Sequence, residues 1–453
     1  METYYFYVKT YTSQKMRIIV PKEVYPAFHK VQTIWCGVRS NEIEVMTHQK
    51  DEDTIYLSSQ LQDELKLPDL STLSCSVEEA NVWLQPLLGI FTAGFTENRE
   101  TPIGDRTAIF EAMSITGQSY GFETIVFGYQ HVNLEDETIN GYVFHNGVWE
   151  RKTYPFPYVI YDRIPNRKIE HHPLVIRIRK QLQSRTIWFN SGFFNKWKVY
   201  DRLKRTYQVS HFLPQTTLHP SPERVLEMLQ QEKKLYIKPI HGSKGTGIKR
   251  CRLREETGEI ECQYYEGEKL VHQRYQDGQN MINQQFPNGL YGYIVQPEIE
   301  LKTKRSTPMD YRVHTNKNEK NEWVVTAICT KFAGKGSLTT HVRRGGSLHT
   351  LEELFDDRES QQVYTKLERS ALEISRVLDR TLKGPLGEIG FDFGIDQEGQ
   401  VWMFEANSKP GYVLYDHPTF KREQNVILSY PYRYAKFLYQ QRISKHKDRR
   451  SLT

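Results

Sequence analysis

Over its first 85 residues the chain alternates apolar and polar positions, or runs apolar in short stretches, as strands with one buried face do. Thr3–Lys9 and Met16–Val20 are two such stretches. Thr33–Val38 and Glu42–Thr47 read as a hairpin turning at Arg39-Ser40-Asn41. Leu61 and Leu65, four apart within Leu57–Leu67, predict a short helix that Pro68 ends. A small β-rich N-terminal domain is expected over residues 1–85, a barrel or sandwich with no catalytic constellation in it.

The pattern changes at Pro86–Phe91, a continuous apolar run suited to a strand buried on both faces. Thr107–Ser119 follows with Ile109, Phe110, Met113 and Ile115 near helical spacing, and Thr124–Phe127 reads as the next strand. Strand, helix, strand predicts a parallel βαβ layer, to which Tyr142–Val148 and Tyr158–Ile160 add strands. A Rossmann-like domain over 86–188 is the expectation. Asp162-Arg163 directly follows an apolar strand, where α/β sheets place ligand contacts, and is a candidate site pair. His171-His172 cannot easily reach one ion together from a helix or strand and reads as a loop contact. Helices are expected over Asn195–Lys204, Pro222–Glu232, Tyr275–Gln285 and within Thr350–Arg380, with strands at Ile260–Tyr265 and Lys269–Gln273. No internal repeat or low-complexity linker interrupts the chain.

Chemistry enters at Phe391–Gly411, FDFGIDQEGQVWMFEANSKPG. Phe391–Gln397 and Gln400–Ala406 read as strands, and Glu398-Gly399 as a two-residue hairpin loop with Gly at positive φ. Counting outward from Gln397 and Gln400 sets Asp392 opposite Glu405, with Cβ atoms ~5 Å apart. Asn407 falls on the same face, two residues on. Two carboxylates that close repel unless a cation lies between them, and an all-oxygen set suits Mg²⁺ or Mn²⁺ better than zinc. A surface hairpin with solvated acids is the alternative, but Phe391, Phe393 and Phe404 read as buried.

A second segment, Leu235–Ile248 (LYIKPIHGSKGTGI), runs from a short strand into Lys238 and a loop with Gly242, Ser243, Gly245 and Gly247. Glycines let backbone N–H groups close around phosphate oxygens. It is not a Walker A loop, because Ile248 and Lys249 stand where Lys and Ser/Thr are required, and it lacks the third Gly of a dinucleotide fingerprint. A mobile hairpin tip is the plain alternative, which the lysine at the strand end makes less attractive.

Together these segments resemble the ATP-grasp superfamily over roughly residues 190 to 420. The resemblance implies that Lys238 grips the α/β-phosphates with the loop, and that Asp392, Glu405 and Asn407 hold Mg²⁺. Further pieces occur in the family's order. Phe194–Leu203 resembles a helix whose early lysine, Lys196 or Lys198, contacts the nucleotide. Tyr293–Leu301 resembles the hinge strand: its backbone across Gln296, Pro297, Glu298 and Ile299 would meet adenine, and the Glu298 carboxylate the ribose. Asp310-Tyr311-Arg312 resembles the D-x-R element near the phosphates. Thr340–Gly346 resembles the R-G-G segment, in which Arg344 meets the transferred phosphoryl group. Glu405–Gly411 matches E-x-N-x-x-P-G. Trp197, Pro239, His241 and FDFG look most like the endospore coat-associated ATP-grasp proteins of spore-forming bacteria. The implied architecture is α+β and α/β. An ATP-grasp nucleotide-binding domain over 189–430 follows a Rossmann-like pre-ATP-grasp domain and the β-rich N-terminal domain, and a basic helix or tail over 431–453 ends the chain.

Asp392-Phe393-Gly394 also spells the metal-binding triplet of protein kinases. No His-Arg-Asp precedes it, and the 59 residues after Gly394 leave no room for a large helical lobe. Five scattered cysteines without C-x-x-C argue for a reducing compartment and against structural zinc. With no run of ~20 apolar residues and no secretory pattern at METYYFYVKT, a cytoplasmic protein is expected. The resemblance alone adds association with the spore coat. Much of the net charge of +6 gathers near the end, in Arg433, Lys436, Arg442, Lys445, Lys447, Arg449 and Arg450. A solvated helix end is favoured there over a contact with anionic polymer, so neither nucleic acid nor membrane is an expected partner.

The leading reading is an ATP- and Mg²⁺-dependent ligase joining a carboxylate to an amine or thiol, with a peptide, a coat polymer or coat proteins as partners. A nucleotide-binding coat scaffold with lost catalysis and a phosphotransferase are the alternatives.

Overall fold

The structure, a computed structural model, describes residues 2–50, 53–241, 247–304, 307–332, 346–412 and 418–450. Four of the expected site positions, Gly242, Ser243, Gly245 and Arg344, lie outside the described residues. Among the described residues the strands form four sheets.

The first has eight strands: β1 (Glu2–Tyr11), β2 (Arg17–Pro21), β3 (Thr33–Cys36), β4 (Arg39–Glu42), β5 (Glu44–His48), β6 (Thr54–Ser58), β7 (Thr72–Glu78) and β8 (Asn81–Leu84), in the order β4-β3-β8-β7-β1-β6-β2-β5. Its hairpin departs from expectation. The chain turns at Gly37, φ +53°, so Arg39-Ser40-Asn41 lie in β4 and not in the turn. β5 instead runs parallel to β2. Period-2 patterning identifies a strand but not its partner. The predicted helix is shorter too: β6 ends at Ser58, whose hydroxyl accepts from Leu61 N and starts α1 (Ser59–Leu65).

The second sheet comprises β9 (Leu87–Phe91), β10 (Glu123–Phe127), β11 (Val132–Asn133), β12 (Thr138–His145), β13 (Val148–Pro155), β14 (Val159–Asp162) and β15 (Ile187–Phe189). β10, β9, β14 and β15 are parallel neighbours, with α2 (Thr107–Ser119) linking β9 to β10 and α3 (Pro173–Gln183) preceding β15. The strand expected over Tyr142–Val148 is a hairpin, β12 with β13, because Asn146-Gly147 turns the chain at φ +51° and +81°.

Two antiparallel sheets follow. Helix α4 (Lys196–Lys204), begun by an Asn195 cap on Lys198 N, precedes them. The third sheet holds β16 (Thr217–Leu218), β17 (Lys234–Pro239), β18 (Lys249–Leu253), β19 (Ile260–Glu266), β20 (Lys269–Tyr275) and β21 (Tyr293–Pro297), in the order β16-β21-β17-β18-β19-β20. Helices α5 (Pro222–Glu232) and α6 (Gly278–Gln285) bury Val225, Met228, Leu229, Met281 and Ile282 with Leu235, Ile237 and Cys251 of that sheet.

The fourth sheet holds β22 (Thr303–Lys304), β23 (Thr307–Lys317), β24 (Trp323–Phe332), β25 (Ser347–His349), β26 (Glu388–Ile395) and β27 (Val401–Asn407), with the path β25-β24-β23-β26-β27. One face packs Tyr311, Val313, Ile389, Phe391 and Phe393 with Leu367, Ile374 and Leu378 of α7 (Asp357–Thr381). α7 starts later than the apolar spacing from Thr350 predicts, because the Asp356 carboxylate accepts from Glu359 N and sets the helix start there. The other face carries the polar residues of the site.

Helix α8 (Lys421–Arg450) runs unbroken across the boundary expected at 430/431. It is not a solvated basic end where its arginines fold back. Arg433 donates to both Glu319 oxygens, at 2.5 and 3.1 Å. Arg442 is 7% exposed, with its guanidinium 4.1 Å from the Tyr158 ring centre and also over Trp35 and Trp83. Leu428, Tyr432, Ala435 and Leu438 join the second sheet's core. Among the described residues no helix is long and apolar enough to cross a membrane.

Candidate active site

β26 and β27 carry Asp392, Glu405 and Asn407 on one face, by a different route from the one counted out of the sequence. The loop holds three residues, Gln397-Glu398-Gly399, with Gly399 at φ +83° and Ile395 paired with Val401. That displaces the register by one. Phe404 then bulges out between the pairs Phe393–Met403 and Asp392–Glu405 and restores it. Asn407 stands opposite Gly390. The bulged ring of Phe404 lies against Gly394, where a Cβ would come within 2.6 Å of it.

Cations surround these oxygens. Lys331 of β24 places Nζ 2.8 Å from Asp392 Oδ1 and 2.9 Å from Asp310 Oδ1, and Arg312 Nε lies 3.5 Å from the same Asp392 oxygen. Register explains the grouping: Asp310 pairs with Lys331, and Arg312 lies opposite Asp392. Burial disfavours the charged Asp392 carboxylate, but Arg312 and Lys331 outweigh it and bring its pKa down to about 2. Burial likewise opposes the Lys331 ammonium, yet Asp392 and Asp310 raise its pKa above the usual lysine range. Lys196, in the first turn of α4, sets Nζ 3.6 Å from Glu405 Oε2. Lys198, about 200° further round the helix, is exposed and outside the cluster.

Lys238, next to last in β17, has Nζ donating to Gln296 Oε1 at 2.8 Å and lying 5.9 Å from the Phe404 ring centre. The bulge therefore links the acidic hairpin to the lysine of the neighbouring sheet. Burial lowers the Lys238 pKa to about 8, with Lys196 adding and Glu405 opposing. Gln296 is committed on its other side, donating to Thr216 Oγ1 at 2.7 Å. Pro297 closes β21, and Ile299 lies beyond the strand. Arg250 grips Glu298 with two bonds, 2.8 and 2.7 Å, and Glu298 N donates to Lys234 O. Gly247, at φ +74°, is the described glycine of the loop after Lys238.

Asp162 and Arg163 do not face an open cleft; they bracket the loop after Asn407. Lys409 donates to Asp162 at 2.5 Å, and Arg179 lies 2.9 Å from the other Asp162 oxygen. Arg163 donates to Pro410 O at 3.0 Å, pairs with Glu388 at 3.2 Å and lies 4.2 Å over the Tyr412 ring. Asn190, fully buried, accepts from Gly387 N and Glu388 N and donates to Glu388 O and Ser408 O, so one side chain joins β26 to the end of β27. His171 and His172 are exposed, and His172 stacks on Tyr129.

Sequence reasoning missed Lys331, Arg250 and Lys409 as parts of this site. The β-branched, mostly apolar run from Trp323 to Ile328 was a signal for Lys331's strand; nothing local marked its partners. Among the described residues no group of three or more His, Cys, Asp and Glu is arranged for a metal ion. The expected set has only two carboxylates plus the Asn407 amide. It nonetheless fits a hard cation: its donors are oxygens, and the Lys331 ammonium already stands against the Asp392 oxygen as a positive charge.

A profile of the YheC/D-like ATP-grasp domain matches residues 185–438. The chain belongs to the YheC/D-like ATP-grasp family. Endospore coat-associated protein YheD of Bacillus subtilis (strain 168) is 39% identical over 396 residues, 87% of each chain. Endospore coat-associated protein YheC of the same organism is 23% identical over 301 residues, 64% of this chain and 82% of its own. Among solved structures, D-alanyl-alanine synthetase A from Vibrio cholerae aligns at TM-score 0.43 with 11% identity, over 79% of this chain and 97% of that one. A RiPP-associated ATP-grasp ligase from Chryseobacterium gregarium, in complex with ADP and a leader and core peptide, aligns at 0.41 with 13% identity, over 75% and 95%. The matched segment contains every candidate site residue from Lys196 to Asn407, whereas Asp162 and Arg163 lie before it in the chain.

Proposed function

We propose that the protein is a Mg²⁺- and ATP-dependent ligase that joins a carboxylate to an amine or thiol through an acyl phosphate. The observation that carries this reading is the pairing of Asp392 with Glu405, with Asn407 on the same face, beside Lys196, Lys238, Arg312 and Lys331. A line of oxygen ligands rimmed by cations suits a polyphosphate and its metal. Asp392, Glu405 and Asn407 would hold Mg²⁺ (or Mn²⁺), which when bound offsets phosphate charge. Lys238 and Lys196 would bind phosphate oxygens with the Gly242–Gly247 loop, and Asp310 would orient the cations beside them. The Gln296–Ile299 backbone would meet adenine, and Glu298, held by Arg250, the ribose.

Arg312 and Arg344 would stabilise charge on the transferring group. The substrate carboxylate oxygen attacks the γ-phosphorus, the bond from that phosphorus to the β–γ bridging oxygen breaks, and ADP leaves. The amine then attacks the acyl carbon, the C–O bond to phosphate breaks, phosphate departs and the amine gives up a proton. The name of the 39% identical relative supports a setting at the spore coat, with a peptide or coat polymer as substrate for a protein made in the cytoplasm.

Calorimetric titration of a non-hydrolysable ATP analogue, with and without Mg²⁺, tests the site. Wild type should bind in a Mg²⁺-dependent way, and Glu405→Ala should weaken binding by about tenfold or more, the scale of a lost charge-assisted contact. A folded wild type that binds no nucleotide would leave a coat scaffold without this chemistry.

A further inference from the structure

We propose that Lys331 is a tethered cation that keeps divalent metal off Asp392 until nucleotide arrives; the inference rests on the ATP reading above. Its ammonium lies 2.8 Å from Asp392 Oδ1 and 2.9 Å from Asp310 Oδ1, with Arg312 Nε 3.5 Å from the same Asp392 oxygen. These four side chains are only 13–19% exposed, so their attraction is weakly screened. Mg²⁺ bound at about 2.1 Å from that oxygen would be forced against the ammonium, and like charges so close repel strongly. One of the two must leave.

Charge balance decides which. Asp310, Asp392 and Glu405 contribute three negative charges, and Lys331, Arg312 and Lys196 three positive ones. Lys238, beside the Phe404 bulge and interacting with Lys196 and Glu405, adds a fourth, so these described groups carry no net negative charge without ligand. A divalent ion alone would add two positive charges to a semi-enclosed site, which is unfavourable. The same ion carried by a triphosphate arrives with net negative charge, and the phosphate oxygens offer the displaced ammonium a new partner. Asp310 keeps Lys331 beside the site meanwhile. Metal and nucleotide therefore bind together, and the free protein does not hold the metal by itself.

The test is Mn²⁺ titration of the nucleotide-free full chain, read from the electron paramagnetic resonance signal of free Mn²⁺. Lys331→Met should bind one Mn²⁺ about tenfold or more tightly than wild type, as expected when an adjacent cation is removed. Lys331→Gln, which keeps a hydrogen-bond donor to both aspartates, should do the same and serves if the methionine variant does not fold. Lys331→Arg should resemble wild type, and adding Asp392→Asn to either neutral variant should abolish the gain. Unchanged Mn²⁺ affinity in a folded neutral variant, or equal gains in the arginine variant, would overturn the proposal. Mg²⁺-dependent binding of the ATP analogue to wild type, measured in parallel, separates that outcome from failure of the ATP reading.

Discussion

Alanine in place of Asp162 should lower stability by about 3–5 kcal/mol, the scale for removing one partner of a buried ion pair and leaving the other charged. Asp162 is fully buried and the Lys409 side chain only 3% exposed. Arg179 would lose its 2.9 Å contact as well. Glu170, 4.0 Å from Lys409 and 3.8 Å from Arg179, remains as a poorer counter-charge and favours the lower end of the range. Asp162→Asn should cost less, because an amide oxygen can still accept from Ile164 N. The check is the urea midpoint of the transition that includes the interface between the second sheet and the fourth. Lys409 is two residues from Asn407, so Mg²⁺-dependent nucleotide binding should fall in the same variant. A loss under about 1 kcal/mol, typical of a surface pair, would mean that Lys409 finds solvent.

Nucleotide affinity should fall as pH rises through 8. Burial and Lys196 lower the Lys238 pKa to about 8, so the free protein loses this ammonium in a range where an ordinary lysine keeps it. A phosphate oxygen attracts the protonated form, so affinity is flat below that pKa and declines above it. Binding above pH 8 must then be accompanied by proton uptake, visible as a dependence of the calorimetric heat on buffer ionisation enthalpy. Lys238→Arg should abolish the pH dependence, since a guanidinium stays charged. Lys238→Met should lose about 10–100-fold in affinity at pH 7, corresponding to ~1.5–3 kcal/mol for a charged hydrogen bond. A wild-type affinity that is level from pH 7 to 9 would remove Lys238 from the phosphate site.

The hairpin shows how a local reading can reach the right contact through a wrong detail. The loop has three residues instead of two, and the Phe404 bulge cancels the error, so Asp392 still faces Glu405. The bulge has its own logic: Gly394 leaves room for the Phe404 ring, which turns towards Lys238. In the first sheet nothing compensated: the expected partner of Thr33–Val38 was wrong, because β4 takes the place beside β3 while β5 pairs with β2 at the opposite edge of the sheet.

By itself the sequence determined what lies within a few residues along the chain. The apolar runs marked most of the strands and helices, the spacing of Asp392, Glu405 and Asn407 put three oxygens on one face, and the ordered motifs pointed to the family. These depend on side-chain periods of 2 and 3.6, which local spacing records. Only the tertiary structure decided which cations meet those oxygens. Lys331 reaches Asp392 across 61 positions of sequence, Lys409 reaches Asp162 across 247, and Arg442 meets the aromatic rings of the first two sheets from the far end of α8. Such contacts depend on strand order and on how separate sheets pack, and an isolated lysine or arginine carries no local mark of the partner it will find.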